Sequence, residues 1–214
     1  ALAMFGTSLV IILLGLTLLT DLELGVAALL ALGIGALASV AELLSIRGSD
    51  NLSVTLLVAI SLFVCLYGGL TAQFLIGVVL AGGVAAFSYR LCFLQLSGSL
   101  ATFLLGSLTF GIGGFKYSVP LLTFFVLASL LSKLNRRMES SDQATAEKGS
   151  RRDAAQVLAN GLLPSMVVIL SVIWDFRGVY ALYLGAVAAV ASDTWATETG
   201  TFFKGSTRSI LTLK

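Results

Sequence analysis

Long apolar runs separated by short polar connectors make up nearly the whole chain. A helix needs about 20 apolar residues to cross the hydrocarbon core of a bilayer, and that rule predicts about eight spanning segments. They cover residues 2–20, 24–43, 52–69, 71–89, 98–115, 117–134, 155–174 and 178–197. The predicted fold class is therefore all-α, a multipass integral membrane helical bundle with about eight transmembrane helices.

Composition agrees with that class. The chain is 57% hydrophobic and 11% charged, whereas a soluble domain carries about 25% charged residues. A net charge of +2 without a long basic run predicts no nucleic-acid partner. The chain opens within an apolar run and ends at Leu213-Lys214. We therefore expect a piece of a longer polypeptide.

The basic residues predict an orientation. Only Lys116 and Arg177 fall in the connectors of one side. The other side collects Arg47, Arg90, Lys133, Arg136, Arg137, Lys148, Arg151, Arg152, Lys204, Arg208 and Lys214. Basic loops stay cytoplasmic, so both termini and all polar patches are expected on the cytoplasmic face, or on the stromal face of a plastid membrane.

The chain contains no histidine. This excludes Ser-His, Cys-His and His-zinc chemistry and leaves carboxylates, Arg, Lys, hydroxyls and bound cations. The glycines of Gly111-Ile112-Gly113-Gly114 are not followed by Gly-Lys-Ser/Thr, so tight packing or a helix break is predicted there instead of a nucleotide loop.

The first polar patch covers residues 151–161. On a helix, Asp153, Gln156 and Asn160 form one stripe on a single face, and Arg152 lies one turn before Gln156. Val157, Leu158 and Leu162 are expected to face lipid or other helices. As an alternative, Arg151 and Arg152 anchor the helix at the headgroups and Asp153 caps its N-terminus, which leaves Gln156 and Asn160 unexplained.

The second patch ends the last predicted span. It pairs Asp193 with Thr197, and Thr194 with Glu198, each four residues apart. Carboxylates with flanking hydroxyls suit Mg²⁺, which takes oxygen ligands and keeps substrate phosphates in its shell. Arginines on the neighbouring segment could neutralise phosphate oxygens. The alternative is a helix-end cluster solvated by headgroups and water.

A third patch lies between the second and third predicted spans. It contains Glu42, Arg47, Asp50 and Asn51, and a plain turn with an Asp or Asn cap explains it nearly as well as a site does.

Phosphoryl transfer is chemically possible with these groups. Positioning and charge neutralisation carry most of that reaction, and a phosphate monoester acceptor, with a second pKa near 6, needs no strong base at neutral pH.

The motif 151–161, followed by Ala191-Ser192-Asp193-Thr194-Trp195-Ala196-Thr197-Glu198-Thr199-Gly200, resembles a multipass family that includes plant-type phytyl-phosphate kinase and transmembrane protein 19. The likeness covers roughly 75–200 and includes Ser97-Gly98-Ser99-Leu100-Ala101. Thr199 stands where the family pattern has Ile. Residues 1–70, with Glu42 to Asn51, are similar to the closing part of phytol and dolichol kinases. The resemblance implies two modules: 1–70 from an alcohol kinase and 71–214 from an alcohol-phosphate kinase.

The resemblance implies an isoprenoid (phytyl) phosphate kinase. It would transfer a phosphoryl group from a nucleoside triphosphate, expected to be CTP, to phytol or phytyl monophosphate in a bacterial plasma membrane or plastid membrane, for tocopherol synthesis. Asp193 and Glu198 would hold Mg²⁺, and Arg151 and Arg152 would neutralise phosphates. The positioning residues would be Asp153, Gln156, Asn160, Thr194 and Thr197, and in the first module Glu42, Arg47, Asp50 and Asn51. A CTP-dependent lipid-phosphate cytidylyltransferase and a transporter or scramblase are the alternatives.

Overall fold

A computed structural model describes residues 1–46, 48–139, 151–174 and 176–202, with the backbone alone at 136–139 and 201–202. The described residues form seven α-helices and no extended strand. These are α1 (Leu2–Leu19), α2 (Leu24–Leu44), α3 (Asp50–Leu66), α4 (Thr71–Arg90), α5 (Leu96–Glu139), α6 (Ala154–Ile173) and α7 (Val179–Phe202).

Six of these helices are long and apolar enough to cross a membrane. The multipass all-α class is thus confirmed, but the count of eight is not supported. Helix α3 has 17 residues and is a shorter apolar helix. The predicted segments 98–115 and 117–134 both lie within the single element α5, where the apolar run continues across the glycines.

Helix α5 folds back on itself at Gly114. The N–H of Gln95 donates to the carbonyl of Arg152, and the guanidinium of the same Arg152 donates to Ser132. A straight helix would separate residues 95 and 132 by roughly 55 Å, far beyond the reach of one arginine. Gly114 has φ 60° and ψ −159°, which breaks the helix into a first arm (96–113) and a second arm (115–139). The predicted helix break is confirmed.

Side chains of α4 and of the second arm donate hydrogen bonds to the carbonyls at this break. The amide of Gln73 in α4 donates to the carbonyls of Gly111 and Ile112 at 3.2 and 2.9 Å. The hydroxyl of Ser118 donates to the carbonyl of Gly114 at 2.7 Å. These carbonyls end the first arm, where a helix leaves its last acceptors unpaired, and lipid offers no water to satisfy them.

Small residues let α4 lie directly on the first arm. A Cβ on Gly77 would overlap the backbone of Gly111, and one on Gly106 would reach 3.0 Å from Ala81. Nearer the other end, the hydroxyl of Ser99 donates to a carbonyl of α4 at 2.9 Å. Close backbone approach of this kind drives helix association where lipid gives no hydrophobic force.

The last two helices run along the arms of α5. Thr109 and Ser165 share a hydroxyl hydrogen bond of 3.2 Å between the first arm and α6. Pro120 in the second arm has no N–H, so the carbonyl of Lys116 loses its partner in the helix. That carbonyl accepts instead from the hydroxyl of Tyr180 at 3.2 Å, which fixes the start of α7 beside the α5 break.

Helices α1, α2 and α3 share one hydrophobic core with the rest. Gly35 of α2 faces the backbone of Leu9 in α1, and Gly33 faces Val78 of α4. The core extends from Ile12 to Ala191. It therefore continues across residue 70, where two modules are predicted to meet, and their separate origins stay a prediction.

Gly114→Ala should destabilise the protein by about 1–3 kcal/mol, because its backbone conformation is open to glycine and strained for other residues. The matched control is Gly83→Ala, since Gly83 lies in a helix with nothing within 4 Å of an added Cβ. Thermal unfolding in detergent measures both. Equal melting temperatures for the two variants would contradict the strained turn.

Candidate functional site

Residues 91–95 connect α4 to α5 and form backbone hydrogen bonds with Arg152, just before α6. The N–H of Arg152 donates to the carbonyl of Phe93 at 3.1 Å, and the Arg152 carbonyl accepts from Gln95 at 2.9 Å. Leu94 and Arg152 thereby form an isolated parallel β-bridge. The connector can turn this sharply because Cys92 adopts φ 60°. Arg152 is thus fixed by its backbone before its side chain makes any contact.

The Ser97-Gly98-Ser99 motif lies just after the connector, and its first two residues contact the residues at the start of α6. A Cβ on Gly98 would overlap the carbonyl oxygen of Arg152, so only glycine allows this approach. The hydroxyl of Ser97 accepts from the N–H of Ala154 at 3.3 Å, which satisfies one of the free donors at the start of α6.

The Arg152 side chain is largely buried. Its Nη2 lies 4.0 Å from Oε1 of Glu198, with 13% of the Arg152 side chain exposed and 22% of that of Glu198. Burial lowers the pKa of the guanidinium, and the Glu198 carboxylate opposes that shift. Arginine nevertheless stays charged in proteins. At this distance the attraction is about 4 kcal/mol for an effective dielectric constant near 20, and desolvation of both ions offsets much of it.

Glu198 is bound by two residues of the second arm. Asn135 Nδ2 donates to Oε2 at 2.8 Å and to the backbone carbonyl of Glu198 at 2.7 Å. Ser132 donates to Oε1, and Arg152 donates to Ser132 at 3.4 Å. We call Arg152, Ser132, Asn135 and Glu198 the polar cluster. It joins the start of α6, the second arm of α5 and the end of α7.

Ser132 and Asn135 were missed from the sequence. They lie three residues apart on one helix face, at the end of an apolar run. This spacing was a usable signal for a polar helix end. It did not indicate Glu198 as the partner, because that contact depends on the fold of α5.

A cavity of about 80 Å³ lies beneath the polar cluster. Arg152 lines one end of it. Its remaining lining comes from α4, both arms of α5 and α6, namely Ala81, Val84, Thr102, Leu105, Gly106, Thr109, Phe110, Ser118, Leu121, Leu122, Phe124, Phe125, Val157, Asn160 and Gly161. The site therefore combines a charged end with a mostly apolar interior.

The three side chains of the predicted stripe on α6 have different surroundings in the structure. Asp153 caps the helix, since its Oδ1 accepts from the N–H of Gln156 at 3.0 Å. This confirms the capping alternative for Asp153. The Gln156 side chain is exposed and outside the cavity lining, whereas Asn160 and Val157 both line the cavity. Arg151 is exposed.

The carboxylates of Asp193 and Glu198 do not fit one shared Mg²⁺. Five residues apart on α7, they point roughly 140° apart around the helix axis. Asp193 is exposed, and Glu198 is engaged in the polar cluster. Within the described part of the chain, no three or more carboxylate, Cys or His side chains lie close enough to hold a metal.

The two threonines of the second patch also differ in exposure. Thr197 donates to the backbone carbonyl of Asp193 at 3.0 Å within α7 and is exposed. Thr194 is half-buried on the neighbouring face. Thr197 and Asp193 thus share the exposed side of the helix, apart from Glu198.

The third patch lies at the start of α3. Asp50 and Asn51 occupy its first turn, and Glu42 lies in the last turn of α2. Arg47 lies outside the described residues. Among the residues that the structure describes, no bond links this patch to the polar cluster.

A turn accounts for the local geometry of the third patch. The hydroxyls of Ser45 and Ser53 are 2.7 Å apart, Ser49 accepts from a backbone N–H at 3.1 Å, and Gly48 has φ 84°. These bonds explain how α2 connects to α3 without a ligand.

Six membrane-length helices around a shared core define an integral membrane protein. Residues 79–214, well over half of the chain, match the family described as integral membrane protein DUF92, and the chain belongs to that family. The match contains every residue of the polar cluster and of the cavity lining.

Relatives of this chain include an archaeal and a plant protein. An uncharacterized membrane protein of Methanocaldococcus jannaschii is 31% identical over 121 residues, which cover 56% of this chain and 49% of the relative. Protein PGR of Arabidopsis thaliana is 29% identical over 156 residues, which cover 66% of this chain and 54% of the relative. The chain thus spans about half the length of these relatives. No solved structure matches it.

Asp153→Ala should destabilise the protein by about 1 kcal/mol, the usual cost of losing a helix N-cap. Asp153→Asn should remain near the wild-type stability, because asparagine caps equally well. Chemical denaturation followed by circular dichroism compares the two. Equal losses for both variants would show that the negative charge of Asp153, more than its cap, is required for stability.

Proposed function

We propose that the chain is part of a membrane isoprenoid-phosphate kinase. It would transfer a phosphoryl group from a nucleoside triphosphate, with CTP as the expected donor, to phytyl monophosphate, giving phytyl diphosphate. The observation that carries this proposal is a buried, charged arginine at the end of an apolar cavity. A lipid phosphate has that same division between a charged end and an apolar chain.

Arg152 is the proposed phosphate-binding residue. Its planar guanidinium matches phosphate oxygens in pairs. The N-terminus of α6 starts two residues later, and the dipole of a helix favours anions near its N-terminus. Ser97 and Asp153 already accept from N–H groups of this turn, so Arg152 is the proposed direct contact.

Glu198 is proposed to orient that arginine. Its carboxylate is tied to Asn135 and Ser132 of the second arm and faces Arg152. The guanidinium is thus kept extended toward the second arm. Arg151, exposed beside it, would contact the nucleotide phosphates.

The chemistry needs no histidine. An oxygen of the lipid phosphate attacks the γ-phosphorus, the bond to the β–γ bridging oxygen breaks, and a nucleoside diphosphate leaves. The acceptor has a second pKa near 6 and is largely dianionic at neutral pH. Mg²⁺, which neutralises the β- and γ-phosphates, would be held mainly by the nucleotide phosphates and water.

The family resemblance adds the substrate. The sequence motifs at 151–161 and 191–200 resemble those of phytyl-phosphate kinase. Residues 1–70 are proposed to belong to a phytol-kinase-like module, with Glu42, Arg47, Asp50 and Asn51 at its site. The membrane is proposed to be a bacterial plasma membrane or a plastid membrane, with the polar cluster on the cytoplasmic or stromal side.

Arg152→Lys should lower kcat/KM at least tenfold, since lysine cannot form the paired hydrogen bonds that arginine makes with phosphate. The assay supplies membranes containing the protein with phytyl monophosphate, γ-labelled CTP and Mg²⁺, and measures label in phytyl diphosphate. Arg177→Lys is the matched control, because Arg177 is exposed in the connector between α6 and α7.

Other products of the same assay would reject the kinase proposal. Label released as pyrophosphate together with a cytidylyl lipid identifies a cytidylyltransferase. Passage of lipid across proteoliposomes without nucleotide identifies a transporter or scramblase. Undiminished activity of Arg152→Lys would remove Arg152 from the site.

A further inference from the structure

Polar side chains other than Arg152 also line the cavity. Thr102 of the first arm and Asn160 of α6 both line it. The hydroxyl of Thr102 is buried and, among the described residues, has no hydrogen-bond partner. An unpaired buried hydroxyl costs about 1–3 kcal/mol, so a ligand that accepts its hydrogen bond would be favoured there.

Asn160 adds a side-chain amide, whose N–H groups can donate to a phosphate oxygen. Thr102 and Asn160 line the same cavity as Arg152, and each lies six residues after the start of its helix.

Apart from these polar groups, the lining of the cavity is mostly apolar. Its lining on the first arm runs from Thr102 to Phe110, a rise of roughly 12 Å along the helix, and Phe125 faces it from the second arm. A single water needs about 10–15 Å³. The cavity of about 80 Å³ thus has room beside a phosphate for only the first few carbons of one chain, and two chains side by side need more.

We infer that this cavity binds a single-chain isoprenoid monophosphate, with its phosphate between Arg152, Thr102 and Asn160 and its hydrocarbon chain directed toward Phe110 and Phe125. This inference rests on the proposed function and assigns the acceptor site. Thr102 donates to a phosphate oxygen. The first part of the chain lies inside the bundle, and the phosphate faces the polar cluster, where the nucleotide arrives.

The test uses phytyl monophosphate with a diazirine on the part of its chain next to the phosphate, bound to the protein in nanodiscs without nucleotide. After irradiation, mass spectrometry should place adducts within residues 106–110 and 118–125. Thr102→Phe, which fills the cavity, should abolish these adducts. Thr123→Phe, the same substitution on the exposed face of the second arm, should leave them unchanged.

Affinity measurements test the contribution of the Thr102 hydroxyl to binding with substitutions that change the side chain little in size. Thr102→Val should weaken binding about tenfold, as expected for one lost hydrogen bond to a charged acceptor, and Thr102→Ser should restore most of it. Phosphatidic acid, which has two chains, should not compete. Equal affinity of the Val and Ser variants, or full competition by phosphatidic acid, would overturn the inference.

The same experiments distinguish this inference from the kinase proposal. Cavity adducts on a protein that transfers no phosphate would reject the proposed reaction and leave the binding site standing. Phosphate transfer with adducts confined to lipid-facing residues would reject the binding site and leave the reaction standing.

Discussion

The reversal of α5 at Gly114 is the constraint on which the rest of the structure depends. It brings residue 132 back beside residue 95, and Arg152 contacts both. Without it, the second arm and α7 would be carried away from the start of α6. The cavity has lining residues on each arm. The polar cluster binds the second arm to Arg152, whose backbone is held by the residues just before the first arm, so neither exists unless the arms lie side by side.

A membrane makes that reversal costly unless every exposed backbone group finds a partner. The protein meets this condition with side chains from neighbouring helices. Gln73 takes the carbonyls at the end of the first arm, and Tyr180 takes the carbonyl freed by Pro120. These bonds also attach α4 and α7 to the turn. The bonds that satisfy the break are therefore the ones that assemble the bundle.

Apolar runs predicted the helices well, because the thickness of a bilayer sets their length. Residues 24–43 and 155–174 were predicted, and the helices are Leu24–Leu44 and Ala154–Ile173. The same rule predicts two spans, 98–115 and 117–134, where the structure has the two arms of α5 on either side of Gly114. Hydropathy thus places the reversal to within a few residues, but it does not indicate the backbone conformation of Gly114 or the side chains that bind the carbonyls there.

The candidate site was predicted in part. The sequence indicates Arg152, Asn160 and Glu198 because polar groups at helix ends in lipid are costly. The structure places Arg152 beside Glu198 and in the lining of the same cavity as Asn160. Gln156 shares their pattern but faces outward, because a weak stripe does not fix the rotation of a helix. Thr102 gave no signal, since a threonine in an apolar run can bond its own helix. Only the cavity distinguishes it.

The most direct test of this account is the distance between the two ends of α5. Spin labels at Leu96→Cys and Leu134→Cys, both exposed positions, can be placed in a variant without Cys65 and Cys92. Neighbouring helices lie about 8–10 Å apart, so pulsed electron paramagnetic resonance should give a distance below about 25 Å. A distance near 57 Å, the length of roughly 38 residues of straight helix, would contradict the reversal and the site built upon it.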